Sequence, residues 1–434
     1  MMKAVAAVLL LLCFDASAAT PVLGPVRVNG ARIVNRLEAL SEYGRNPQGG
    51  VSRIAYSEAD RAGRTYVIGL MKDAGLAVSI DTAGNLVGVR PGTNATLKPI
   101  VIGSHIDSVP EGGNYDGDVG SLSAVEVAQV LSERHLTTRH PLQVLIFEDE
   151  EGLMLGSTAI AAGLDVTRLN SASQSGKVVR DGVKFLGGDP DRIAEAKRAP
   201  GSIAAYLELH IEQGGILERE NVDIGVVEGI VGILDAEVTI EGFANHAGTT
   251  PMDQRHDAVL SAARFADRLN QIITAMPGSQ VGTVGWLKAQ PGAYNVVPGK
   301  VTLGMEVRDL DGRKIQSLYD QIRAAADALG RMNGTSFHFE QHARSEPALT
   351  DPKLQALIDM TAKRQGFSTR RMPSGAGHDA QEMSKLGPIG MIFIPSVGGI
   401  SHSPKEYSRP SDIANGANVL LETVLELDRA RDAH

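Results

Sequence analysis

Apolar positions fall into two kinds of run along this chain. In the first half they come as short unbroken blocks, PIVIG at 99–103 and LQVLIF at 142–147. A strand without alternation is buried on both faces, as in a parallel sheet covered by helices. Helical stretches separate these blocks. Ser57 is placed to cap one that runs to about Asp73, with Asp60 reaching back, and residues 120–133 read as a largely buried helix. Near Gly229 the pattern changes. LDAEVTI at 234–240 alternates, as a strand buried on one face does. A helix is expected from Thr250-Pro251 to about Ala275, then strands at 281–287 and 300–308, an amphipathic helix at 313–332 and a strand at 336–342. That order, β-α-β-β-α-β, is the split unit of ferredoxin-like folds. From about Glu346 the first pattern returns.

The expected fold class is therefore α/β: a mostly parallel sheet domain with helices on both faces, interrupted by an α+β ferredoxin-like insertion. The expected boundaries are 19–228 with 341–434 for the discontinuous domain and 229–340 for the insertion.

Residues 1–18 stand apart. Lys3, an apolar run from Ala4 to Phe14 and the small residues Ala16-Ser17-Ala18 form a secretory signal pattern, with cleavage expected after Ala18. The expected location is periplasmic or secreted, with no membrane attachment after cleavage. Cleavage would remove Cys13, the single cysteine, leaving a thiol-free chain suited to an oxidising compartment. One cysteine also excludes thiolate zinc sites and internal disulfides. The 434 residues carry 42 basic and 51 acidic side chains, a net charge of −9, which argues against nucleic acid as a partner.

Candidate chemistry gathers where apolar strands end, the place ligands bind in open α/β sheets. GSHIDSVPEGGNYDGD at 103–118 supplies His105 and, in a glycine-rich loop, Asp116. Asp107, two residues past His105, is expected to accept the other imidazole N–H. FEDEEG at 147–152 supplies Glu150 and Glu151, which can divide the labour between metal and base. ELHIEQG at 208–214 supplies His210, and GISHSP at 399–404 supplies His402. Three histidines with two or three carboxylates suffice for two divalent ions sharing one carboxylate. Nitrogen and oxygen ligands favour Zn, Mn, Co or Ni over Ca or Mg. The GxGxxA match at 375–380 lacks the acidic residue about 20 positions on that a dinucleotide site needs.

Taken together, GSHIDSV, GGNYDG, EEG, ELHIEQG, ANHAGTTPM, NVVPG, SGAGHDA and GISHSP occur in an order that resembles the hydantoinase/carbamoylase family of dinuclear metal amidohydrolases, within the aminoacylase/carboxypeptidase superfamily. That family includes N-carbamoyl-L-amino-acid hydrolases, allantoate amidohydrolases and β-ureidopropionases. The resemblance spans essentially the whole chain after residue 18. It implies that His105, Asp116 and His210 hold one metal, zinc being the first expectation. Asp116 then bridges to a second metal held with Glu151 and His402. It implies Glu150 as general base and His246 as a catalytic partner. Arg308 is implied on the carboxylate of a small-molecule substrate, with Gln213, Asn295 and His378 as further substrate contacts. Residues 229–340 are implied to be a lid and the interface of a homodimer.

Two departures bear on substrate choice. The stretch after Gly152 is shorter than the family's, and the position two before Arg308, usually Asp, is Glu306. The rival readings are an exported aminoacylase or dipeptidase on the same scaffold, and a non-catalytic solute- or metal-binding protein. The second requires a lost ligand or base, and none is missing.

Overall fold

The structure is a computed structural model that describes residues 26–430; the expected signal segment lies outside them. The strands in chain order are β1 (Ala77–Ile80), β2 (Leu86–Arg90), β3 (Ile100–His105), β4 (Leu142–Phe147), β5 (Ala205–Ile211), β6 (Ile224–Ile230), β7 (Gly232–Glu241), β8 (Asn245–His246), β9 (Val281–Gln290), β10 (Val296–Val297), β11 (Lys300–Asp309), β12 (Ser336–Ser345), β13 (Ala348–Leu349), β14 (Thr369–Ser374) and β15 (Ile389–Ile394).

Nine of them form one twisted sheet in the order β1-β2-β4-β3-β5-β15-β6-β13, with β14 also paired to β6. The centre, β4-β3-β5-β15, is parallel, and antiparallel pairs flank it. The unbroken apolar runs lie in this centre, and every residue of β3, β5 and β15 is buried. One face is covered by helices that include Asp118–Glu133 and Pro410–Arg429, through Leu122, Val125, Ile413 and Leu420. The other is covered by Leu155–Ala161 and Asp379–Met383, through Ile160, Ala380 and Met383. Both faces are thus removed from water, which is why these strands carry no polar alternation.

The second sheet is antiparallel throughout, in the order β12-β7-β11-β9. Leu234, Ala236, Val238 and Ile240 of β7 face the helices Ala258–Ala275 and Gly312–Asn333, burying Phe265, Leu269 and Leu318. The strand order and the β-α-β-β-α-β sequence are those of the ferredoxin-like unit. This unit runs from Gly232 to Ser345. It joins the larger domain where Ile230 of β6 pairs with Ala348 of β13, so the chain leaves and returns at one place.

One helix start differs from expectation. Met252–Gln254 is a single 3-10 turn, and the long helix begins at Ala258. Asp257 caps it by accepting the Val259 and Leu260 N–H groups. Asp is as good a cap as Thr, and the later one leaves 247–256 outside the helix.

Candidate metal centre

Four adjacent parallel strands deliver the chemistry at their carboxyl ends. β4 leads to Glu150 and Glu151, and β3 ends on His105 and leads to Asp116. β5 carries His210, and β15 leads to His402. Ile102 of β3 is in register with Leu207 of β5, and the same offset three residues on brings His105 level with His210, their ring centroids 6.0 Å apart.

Each imidazole is pinned through Nδ1. His105 Nδ1 is 3.0 Å from the Asp107 carbonyl, and His210 Nδ1 is 2.9 Å from that of Ile211. A carbonyl only accepts, so Nδ1 carries a proton and Nε2 is the atom left for a metal ion or a second proton. Both Nε2 atoms face Asp116 Oδ1, at 3.8 Å from His105 and 3.1 Å from His210. The other oxygen, Oδ2, lies 3.1 Å from His402 Nε2, which is 3.3 Å from Glu151 Oε1. His105–Asp116–His210 and Asp116–Glu151–His402 therefore each bring ligand atoms within 4.8 Å of one another, and Asp116 belongs to both. Glu208 forms a third such group with His210 and His378. Its oxygens already accept from Ser104, Tyr206 and the Ala380 N–H, which leaves it a weaker candidate ligand.

Asp107 has a different task from the one expected. Its backbone carbonyl, not its carboxylate, meets the His105 Nδ1–H; the nearer carboxylate oxygen stands 3.6 Å away. The carboxylate instead accepts the N–H groups of Glu150 and Glu151, at 3.2 and 3.1 Å. It thereby fixes the turn that presents both acids.

The donor set fits divalent cations. Burial, reinforced by Asp379 and Glu151, pushes the Glu150 carboxyl well above its ordinary range. Burial also pushes Glu151 up. His210 is raised to about 9: burial opposes this, but its bond to Asp116 wins. His402 is raised to about 10 by its bonds to Asp116 and Glu151. Several buried acids held together by protons on two histidines are a site in which metal ions can take those protons' place.

Backbone strain gathers here. Asp149, Met154, Gln213 and His402 have φ of 56°, 48°, 57° and 50°. Each left-handed non-glycine residue costs on the order of 1–3 kcal/mol and persists only where surroundings impose it. Gly117, at φ 65°, is required for a second reason: a Cβ there would sit 2.4 Å from the His105 ring.

A cavity of about 230 Å3 opens onto the centre. It brings together His105, Asp116, Glu150, Glu151, His210, Gln213, Arg308, His378 and His402. Gln213 donates to Asp116 Oδ2 at 2.7 Å, and its own amide oxygen is buried without a partner. His378 is buried, with Nε2 2.8 Å from Ser374 Oγ and its ring 4.4 Å from that of His210. His246 and Asn295 are not in this cavity. They are exposed neighbours in the inserted unit, His246 on β8 and Asn295 immediately before its partner β10.

Three residues of the site went unread in the sequence. Met154 lines the cavity from the short stretch after Gly152. Asp379 is fully buried beside Glu150, both oxygens without hydrogen-bond partners. Glu406 accepts the N–H groups of Tyr115 and Asp116 at 3.0 Å each, the Ser401 hydroxyl at 2.8 Å and the His402 N–H at 3.3 Å. It ties the Asp116 loop to the His402 loop across 290 residues of chain.

An α/β domain with a ferredoxin-like insertion, and a two-part N/O ligand set sharing one aspartate, is the architecture of a metallohydrolase. Residues 101–426 match the family described as Peptidase family M20/M25/M40, and the chain belongs to it. Within it the resemblance is to the hydantoinase/carbamoylase amidases. The N-carbamoyl-L-amino acid amidohydrolase of Geobacillus stearothermophilus is 38% identical over 405 residues, covering 92% of this chain and 99% of its own. The allantoate amidohydrolase of Bacillus subtilis is 33% identical over 402 residues, covering 91% and 97%. The crystal structure of an amidase of the hydantoinase/carbamoylase family from Burkholderia multivorans superposes with a TM-score of 0.87 at 35% identity, covering 93% of this chain and 99% of that one.

Proposed function

We propose that this protein hydrolyses the ureido C–N bond of an N-carbamoyl amino acid, giving the amino acid, ammonia and CO2. The observation that carries the reading is Asp116, whose two oxygens face separate ligand groups 3.1 Å from His210 on one side and 3.1 Å from His402 on the other. Two divalent ions, zinc being the first choice and Mn, Co or Ni the alternatives, would be held by His105, Asp116 and His210, and by Asp116, Glu151 and His402. Bound there, they supply the charge that acidifies water and polarises the scissile carbonyl.

The chain's own groups do the rest. Glu150 lines the cavity with Oε2 3.7 Å from His105 Nε2, and takes a proton from the attacking water and passes it to the leaving nitrogen. Gln213 offers its unpartnered amide oxygen to the ureido N–H groups, and His378 walls the cavity beside His210. Arg308 pairs with the substrate carboxylate. His246 is built as a hydrogen-bond donor: the Gly248 and Thr249 N–H groups both reach its Nδ1 at 3.1 Å, which leaves the proton on Nε2. That atom suits a developing oxyanion, with Asn295 orienting the amide beside it. Both are exposed on the inserted unit, so they meet the substrate by closure of that unit or from the second copy in a homodimer.

We place the enzyme outside the cytoplasm on the signal pattern of residues 1–18. A second reading, allantoate as substrate, is favoured by the Bacillus subtilis relative. Product analysis separates them and tests both: ammonia with a free amino acid from N-carbamoyl amino acids supports the first, and ammonia released from allantoate alone supports the second. Release of an amino acid from N-acyl or dipeptide substrates only would overturn both. Light scattering tests the dimer, and the N-terminal mass of the exported protein tests cleavage after Ala18.

A further inference from the structure

Arg308 is not a free cation waiting in the cavity. Its Nε and Nη2 donate to the two carboxylate oxygens of Glu306, at 3.0 and 2.8 Å. Its Nη1 donates to the Gly375 carbonyl at 2.8 Å, in the loop that also carries His378. Three of the five guanidinium donors are therefore engaged, and the bidentate edge best suited to a carboxylate already holds one. Both residues stand on the open face of β11, two positions apart, where alternate side chains share a side.

The surroundings set what it costs Glu306 to let go. Across the sheet it is in direct register with Asp235, a like charge that Arg308 offsets. Its far side borders an open recess of about 540 Å3, lined also by Glu237, Trp286 and His342. The side chain thus has room to swing away, into a recess whose other charged neighbours are Asp235 and Glu237, with His342 among its lining. The pair is about a quarter exposed, at 27% and 29%, so it is exchangeable rather than locked.

We propose that Glu306 determines specificity as a built-in competitor: it occupies the Arg308 fork in place of the substrate carboxylate and must be displaced for a carboxylate to bind. This rests on the reading of Arg308 as the carboxylate anchor. Glu reaches both Nε and Nη2 from two positions away, and it penalises weakly held carboxylates while leaving neutral ligands unaffected.

The test is equilibrium binding to the metal-loaded Glu150→Gln protein, with and without Glu306→Gln, by titration calorimetry. The probes are N-carbamoyl-L-alanine and its carboxamide. Removing the competing charge should tighten the carboxylate about fivefold, the scale of a partly exposed ion pair, and leave the carboxamide unchanged. Weaker or unaltered carboxylate binding, equal changes for both probes, or no carboxylate binding in either protein would overturn it. A Glu306→Asp variant with native thermal stability should tighten the carboxylate as well, because the shorter acid loses one of the two contacts; unchanged binding there would also count against the proposal. Turnover is not needed for these readings. Absence of ureido hydrolysis by the unmodified enzyme would count against the proposed function and not against this competition.

Discussion

The two domains hold their functional side chains in opposite ways. In the larger domain, His105, Asp116 and His210 are buried; the two rings are fixed at strand ends by backbone carbonyls, and the Asp116 carboxylate accepts from Gln213 and Ser401 in a loop tied to Glu406. In the inserted unit, His246 and Asn295 lie exposed at the short β8–β10 pair, and Arg308 of β11 reaches the cavity, held by its bond to Gly375. Charge that must be held against its own repulsion needs a scaffold that cannot move. Groups that meet the substrate can be delivered by a surface that approaches. Metal affinity should therefore be a property of one domain, and turnover a property of both.

The sharpest break of that division is Glu150→Gln. We expect turnover to fall by about 10²–10⁴-fold, the range of a lost general base, with the metal content unchanged by elemental analysis. Next comes His246→Ala on the exposed side. Loss of one oxyanion donor should lower kcat about 10²–10³-fold without altering metal content or thermal unfolding. Loss of metal in that variant would erase the distinction between the two regions. Glu406→Gln probes the buried side without replacing a proposed ligand. It removes the charge that gathers four donors from the Asp116 and His402 loops, and metal affinity should weaken about 10–100-fold in a chelator competition.

The smallest effect is one of pH. Burial, with Asp107 adding and Arg64 opposing, raises Asp60 from 3.8 to about 7. A raised acid binds its proton more tightly in the folded chain. Its contribution to stability is then full below about 3.8 and declines as pH rises through about 7. Asp60→Asn should flatten the fall in melting temperature over that interval; an unchanged slope would show that Asp60 does not contribute.

The buried side was the legible side. Each proposed metal ligand named here ends or follows an unbroken apolar run, and the fold brings His105, His210, Glu151 and His402 to one edge of the sheet. Local chemistry was less legible. That Asp107 uses its carbonyl toward His105 and its carboxylate toward the next loop depends on a turn 43 residues away. Glu406 sits in SPKEYS, a stretch that reads as solvated, and acquires its meaning from contacts made by folding. The start of the long helix in the insertion was placed at Thr250 because Pro251 mimics a first helical residue, whereas Asp257 caps with two N–H groups.

The central claim is that Asp116 serves two cations at once and that turnover needs both. The direct test is a titration of the stripped enzyme with zinc, following bound metal and ammonia release from an N-carbamoyl amino acid together. Two equivalents should bind per chain, with activity rising to its plateau only as the second is taken up. Full activity at one equivalent, or saturation of binding at one, would contradict the account.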